Sequence, residues 1–170
     1  LIWAIFRFTF AAELVGGLLL YACWVPQFGW DGAVWPAVFH AVSAFCNAGF
    51  STFTTSLMGF QAHLPLLGVV MALIVVGGLG FLTLEGLYVW RRRLRKEGRF
   101  RLSVHSQIVI ATTALLIVGG WVLFTAFEWD STLAGMPWDQ RLVNGLFASI
   151  TPRTAGFNTI DYAAVETETN

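Results

Sequence analysis

Two short segments of the chain combine small and polar residues with a central glycine in nearly the same order. The first covers positions 44–52 (AFCNAGFST) and the second covers positions 151–159 (TPRTAGFNT). When Gly49 is aligned with Gly156, an Ala-Gly-Phe core and the threonine three residues after each glycine coincide. An ion filter lined by backbone carbonyls needs small side chains and a glycine that can adopt unusual backbone angles. The repeat therefore predicts a cation site built from backbone.

The composition places these segments in a membrane protein. Hydrophobic residues make up 56% of the 170 residues and charged residues only 12%, about half the charge of a typical soluble domain. Because the formal net charge is zero, we expect no nucleic-acid partner. Cys23 and Cys46 lie in or beside apolar stretches without metal-ligand spacing, and we predict that both are free, buried thiols.

Three apolar stretches are long enough to cross a bilayer, because about 20 helical residues span its hydrocarbon layer of roughly 30 Å. We predict spanning helices over 1–25, 64–90 and 104–127. The first two contain Glu13 and Glu85. A carboxylate inside a membrane is costly, so each is a candidate for a functional role or for pairing near the interface.

Two further apolar stretches are too short to cross. Helices predicted over 36–46 and 142–150 would extend only about 16 Å or less and would end inside the membrane. They lead directly into the predicted filter segments, 47–51 and 154–158. Irregular backbone at that depth must be enclosed by protein or line a water-filled path. Helices lying flat on the headgroups are the alternative, which the matched endings disfavour.

The basic residues predict the orientation. Most of the ten lysine and arginine residues lie in the predicted loop 91–103, which the positive-inside rule places in the cytoplasm. Both filter segments would then open to the outside. Tryptophans near the outer connections are typical of an interfacial aromatic belt: Trp24, Trp30, Trp35, Trp129 and Trp138. An alternative role for the basic cluster is binding of anionic lipid or of a protein partner.

Three strings together resemble one family. Positions 39–51 (FHAVSAFCNAGFS), 77–81 (GGLGF) and 149–161 (SITPRTAGFNTID) are similar to the Trk/Ktr/HKT superfamily of potassium transporters, most closely to the membrane subunit of bacterial Trk and Ktr systems. That superfamily has four helix–pore-loop–helix repeats around one pore. Residues 1–90 resemble the complete second repeat and residues 104–170 part of the third. The resemblance implies an all-α membrane protein with a potassium-channel-like pore that is incomplete in this chain.

The resemblance also implies which atoms would contact the ion. The filter residues would be Gly49, Phe50, Gly156 and Phe157. The backbone carbonyls that bind potassium would belong to Asn47, Ala48, Thr154 and Ala155. Carbonyl oxygens replace the water that the ion sheds, and the half-helices would direct their partially negative C-terminal ends at it. No catalytic residue and no covalent cofactor is implied, and potassium is the substrate.

The expected function is potassium uptake across the inner or plasma membrane by a multi-pass protein embedded in lipid. The resemblance implies a homodimer that associates with a cytosolic nucleotide-binding regulatory subunit. A sodium-conducting member of the superfamily and a non-conducting assembly subunit are alternatives. A third alternative is an intramembrane enzyme, which requires Glu13, His40 and Glu85 to converge on one cavity.

Three local predictions accompany this interpretation. Arg153 is expected to brace the second filter segment, because a cation beside the pore would repel potassium. His40 and His63 are expected to make ordinary polar contacts. The glycines of positions 77–80 indicate either close helix packing or a hinge near a gate.

The predicted orientation can be tested by cysteine labelling in intact cells, in an otherwise cysteine-free protein. Gly98→Cys should resist impermeant thiol reagents because it lies in the basic loop. Asp31→Cys and Gly135→Cys should react because they lie in the predicted outer connections. The reverse labelling pattern would overturn the orientation and the outward opening of both filter segments.

Overall fold

The computed structural model describes residues 2–97 and 101–162. No β-strand occurs in those ranges, and the predicted all-α membrane architecture is confirmed. The helices are, in chain order, α1 (Ile2–Phe45), α2 (Leu64–Leu79), α3 (Phe81–Glu97), α4 (Val104–Glu128) and α5 (Trp138–Ile150). Part of the predicted basic loop, 98–100, and the end of the predicted partial repeat, 163–170, lie outside the described residues.

The first helix reverses direction at Gly29, whose backbone angles are φ 73° and ψ 173°. The returning segment 30–45 runs back along the first part of α1, so that the rings of Trp24 and His40 lie 5.0 Å apart. The sequence predicted a separate helix over 36–46, after a long connection. Helical structure instead resumes directly after Gly29, because a single glycine in the left-handed region is enough to turn the chain.

The predicted helix over 64–90 is two helices. Gly80, at φ 75° and ψ 151°, separates α2 from α3, and the two helices meet at an angle of 94°. The sequence concealed this break because the whole stretch is apolar and glycine is common in spanning helices. Since α3 continues to Glu97, the first part of the predicted basic loop is helical. Among the described residues, α1 and α4 are long and apolar enough to span a bilayer, and the bent α2–α3 pair is a third span if counted as one.

The helices form two packed pairs joined by a central contact. α2 packs against α1, α4 packs against α5, and α2 contacts α5. The main core includes Leu20, Trp24, Leu66, Leu67, Phe147 and Phe157. Trp24 is fully buried, so its predicted place in the aromatic belt is wrong, whereas Trp30, Trp35 and Trp138 are exposed. Its ring is enclosed by His40 and by the aromatic residues that follow the first filter segment.

Two neighbouring glycines of α4 provide a test of the α4–α5 packing. A Cβ on Gly120 would lie 2.6 Å from the Ser149 hydroxyl of α5, whereas one on Gly119 meets nothing within 4 Å among the described residues. Gly120→Ala should therefore destabilise the protein by about 1–3 kcal/mol through overpacking. Gly119→Ala should leave stability unchanged or raise it slightly, because alanine favours helix. Thermal unfolding in detergent measures both, and equal melting temperatures would contradict the packing.

Candidate ion-filter site

The first filter segment begins where the returning segment of α1 unwinds. Asn47 adopts a positive φ of 54°, and the Ala48 N–H donates to the Ser43 carbonyl over 2.8 Å, which closes the end of the helix. The chain then continues without helical structure through Gly49, whose φ is 69°. This is the unwinding that the sequence predicted at Asn47.

The second filter segment begins four residues after the end of α5, whereas the first begins two residues after the end of α1, because a 3-10 turn over Thr151–Arg153 follows α5. The N–H groups of Ala155 and Gly156 both donate to the Thr151 carbonyl over 3.0 Å. Gly156 then adopts a φ of 92°. The two aligned glycines thus share the left-handed backbone region, which residues with a Cβ rarely enter.

The two filter segments touch each other. A Cβ on Gly49 would overlap the carbonyl oxygen of Ala155, so the first segment must carry glycine where the second approaches it. Beside this contact, the Thr154 hydroxyl donates to the Asn47 side-chain oxygen over 2.7 Å. The structure therefore brings together the two segments of the predicted site, although they are far apart in the sequence.

The carbonyl groups of the filter segments fall into two classes. The Phe50 carbonyl accepts a hydrogen bond from the Ser43 hydroxyl, and the Phe157 carbonyl accepts one from the Thr151 hydroxyl, each over 2.8 Å. The four carbonyls predicted to bind the ion receive no hydrogen bond from any described residue: Asn47, Ala48, Thr154 and Ala155. The protein bonds the phenylalanine carbonyl after each glycine and leaves the two carbonyls before each glycine available.

A second set of bonds ties the segments together beyond the filter. The Leu57 N–H donates to the Asn158 carbonyl over 2.9 Å, and the Asn158 N–H donates to the Ser56 hydroxyl over 3.1 Å. Gln61 donates to the Thr159 carbonyl, and the fully buried Asn144 donates to the Gln61 carbonyl over 3.0 Å. These contacts were not predictable from the sequence, because a polar residue does not reveal which distant group it will bond.

His40 is a structural residue behind the first filter segment. Its Nδ1 donates to the Pro36 carbonyl over 2.7 Å, which leaves Nε2 to accept from the Ser51 hydroxyl over 2.9 Å. Its ring stacks on Phe53 at 5.2 Å and on Phe157 at 6.0 Å. His63 accepts the Leu66 N–H at the start of α2. The prediction that both histidines make ordinary polar contacts is confirmed.

Arg153 and the glycines of positions 77–80 also have structural roles. Arg153 donates over 3.5 Å to the Thr113 hydroxyl of α4, in agreement with its predicted bracing role. Gly77 packs against the end of the returning segment, where a Cβ would overlap the Phe45 carbonyl oxygen. The glycine run thus combines close packing at Gly77 with a helix break at Gly80.

The three residues required for an intramembrane enzyme do not converge in the described structure. Glu13 lies 3.9 Å from the Cys46 sulfur, whereas His40 is bonded to Pro36 and Ser51. Glu85 is exposed on α3, beyond the break at Gly80. The cysteines are free as predicted, but the prediction that both are buried is wrong, because Cys23 is half-buried and Cys46 is exposed.

Helices long enough to span a bilayer, together with shorter helices that end at paired glycine-centred segments, define an all-α membrane protein. The whole chain, residues 1–170, matches the family described as "TrkH: Cation transport protein", and the chain belongs to that family. This confirms the resemblance found in the sequence and identifies a cation-transport family, not a family of enzymes.

Named relatives support the same membership. The potassium/sodium uptake protein NtpJ of Enterococcus hirae is 41% identical over 93% of this chain and 34% of its own length. The Ktr system potassium uptake protein B of Vibrio alginolyticus is 37% identical over 95% of this chain and 35% of its own length. The cation transporter HKT1;1 of Oryza sativa subsp. japonica is 31% identical over 78% of this chain. The chain spans about a third of the length of the two bacterial relatives.

The bond between Thr154 and Asn47 can be tested by a double-mutant cycle. Asn47→Ala and Thr154→Val each remove one partner, and their combined effect on the free energy of unfolding should be smaller than the sum by about 0.5–1.5 kcal/mol. Thr154→Ser retains the hydroxyl and should behave like the parent. Strict additivity of the two single variants would show that the filter segments are not coupled through this bond.

Proposed function

We propose that this chain supplies two filter segments to the pore of a potassium uptake transporter. The observation that carries the proposal is the pair of touching segments whose four carbonyls before the glycines receive no hydrogen bond from the described residues. Carbonyl oxygens in that arrangement replace the hydration shell of a monovalent cation. The half-helices before them end at the segments, and their C-terminal dipoles favour a positive charge there.

Sodium is the second candidate substrate. Potassium is named in both bacterial relatives, whereas NtpJ is named for potassium and sodium together. Neither filter string contains a side-chain carboxylate, so the discrimination between the two ions rests on carbonyl geometry. A site of this kind selects by the number and spacing of its oxygens, which further segments of the pore must complete.

An asymmetry between the two phenylalanines supports completion by further segments. Phe157 is fully buried and stacks on His40 of the other half, whereas Phe50 is 70% exposed among the described residues. In a ring where each half-helix covers the phenylalanine of the next filter segment, Phe157 is covered within this chain and Phe50 is covered by another segment of the pore. Four such segments surround one axis in this proposal, and the chain contributes two of them.

The transporter is proposed to lie in the cell membrane with its basic end in the cytoplasm. Arg91 and Arg92 are exposed on α3, where a cytosolic component or anionic lipid has access to them. The name "Ktr system" indicates several components for the Vibrio alginolyticus relative. A homodimer on a nucleotide-binding regulatory subunit is the assembly that we propose here.

The filter assignment is tested by replacing the aligned glycines in the complete transporter. Gly49→Ser and Gly156→Ser force a side chain into the left-handed region, which costs about 1–2 kcal/mol and misdirects the adjacent carbonyls. Potassium affinity should fall about tenfold, or sodium should compete more strongly, in uptake assays normalised to the amount in the membrane.

Gly119→Ser is the matched control, because Gly119 faces open space on α4 and lies outside the filter. This variant should transport like the parent. Unchanged affinity and selectivity in both filter variants, at normal membrane levels, would remove these segments from the pore.

A further inference from the structure

The same hydrogen bond occurs once behind each filter segment. A hydroxyl near the end of the half-helix donates to the carbonyl of the phenylalanine that follows the filter glycine. The pairs are Ser43 with Phe50 and Thr151 with Phe157, both at 2.8 Å. Both hydroxyl residues are buried, at 5% and 2% exposure, so neither bond is replaced easily by water.

The two copies reach this bond by different local routes. Ser43 lies seven residues before its partner and belongs to the helix, whereas Thr151 lies six residues before its partner and begins a 3-10 turn. The aligned glycines therefore do not bring these hydroxyls into equivalent sequence positions. Because the bond is the same although the register differs, we regard the hydroxyl-to-carbonyl contact as the shared feature.

From this repetition we infer that Ser43 and Thr151 are positioning residues that set the outer boundary of the cation site. The inference rests on the proposed function. Each hydroxyl turns the phenylalanine carbonyl back toward its half-helix and holds it away from the ion. The carbonyls before Gly49 and Gly156, which receive no hydrogen bond from the described residues, remain as the ligands. A released phenylalanine carbonyl would be free to rotate into the pore and change the number and spacing of oxygens there.

The experiment removes each hydroxyl while keeping the shape of the side chain. Thr151→Val is isosteric, and Ser43→Ala removes a single oxygen atom. We measure the apparent KM for potassium, the Ki of sodium as a competitor and the maximal uptake rate of the complete transporter, normalised to its amount in the membrane. The potassium-over-sodium preference should fall about fivefold, the ratio that the loss of one ordinary hydrogen bond produces, with the maximal rate changed less. Thr151→Ser and Ser43→Thr keep the hydroxyl and should therefore retain the potassium-over-sodium preference of the parent.

Ser149→Ala is the matched control. Its hydroxyl lies at the end of α5, two residues before Thr151, and donates over 2.8 Å to the Ile117 carbonyl of α4, away from the filter. This variant also loses a hydroxyl bond, so it should lower stability without changing the ion preference. If Thr151→Val does not reach the membrane, Ser43→Ala provides the test.

The outcomes separate this inference from the proposed function. A normal ion preference in Ser43→Ala and Thr151→Val, while the Gly49 and Gly156 variants lose it, overturns the positioning role and leaves the filter intact. If the glycine variants are also normal, the filter assignment itself is wrong. A change in Ser149→Ala equal to that in Thr151→Val would assign the effect to general packing and also overturn the inference.

Discussion

Irregular backbone inside an apolar protein must find a partner for every amide group, and this requirement organises the centre of the molecule. An unbonded N–H or carbonyl in a low-dielectric interior is costly. Here the N–H groups at the start of both filter segments return to the carbonyls of Ser43 and Thr151. The carbonyls of Phe50 and Phe157, which follow the glycines, accept hydrogen bonds from side-chain hydroxyls. The carbonyls before the glycines are among the groups that remain without a described partner, and carbonyls are the oxygen ligands that a hydrated cation can exchange for water.

The contacts around the filter explain why the surrounding residues are small. Gly49 accommodates the Ala155 carbonyl, and Gly77 accommodates the carbonyl of Phe45 at the end of the half-helix. Backbone can approach backbone this closely only where no Cβ intervenes. Close packing of α2 against the half-helix then fixes the height of the first filter segment. The adjacent break at Gly80 turns α3 away immediately below that contact.

The sequence predicted the parts of this arrangement that depend on composition and on repetition. Apolar length distinguished the long helices from the short ones, and the paired Ala-Gly-Phe strings marked the two places where a short helix ends in glycine-centred irregular backbone. The changes of helix direction were harder to predict from the sequence. A single glycine reverses α1 at Gly29, and another breaks the stretch 64–90 at Gly80. Both lie in apolar surroundings where periodicity does not change. Partners were the least predictable, since neither Asn144 nor Thr151 indicates in the sequence which distant carbonyl it will reach.

The comparison of the two copies separates the features they share, which the proposed filter would require, from those in which they differ. Glycine with positive φ, the following phenylalanine and a hydroxyl bonded to its carbonyl occur in both. The route from the half-helix differs, because in the second copy the α-helix ends earlier, at Ile150, and the Thr151–Arg153 turn follows and brings Arg153 to α4. When the same contact forms from two different local structures, it is determined by the centre where the two segments meet and not by the helix that precedes each segment. On that reasoning, carbonyl orientation is the shared constraint, and the turn and its arginine are adaptations of one half to its neighbouring helix.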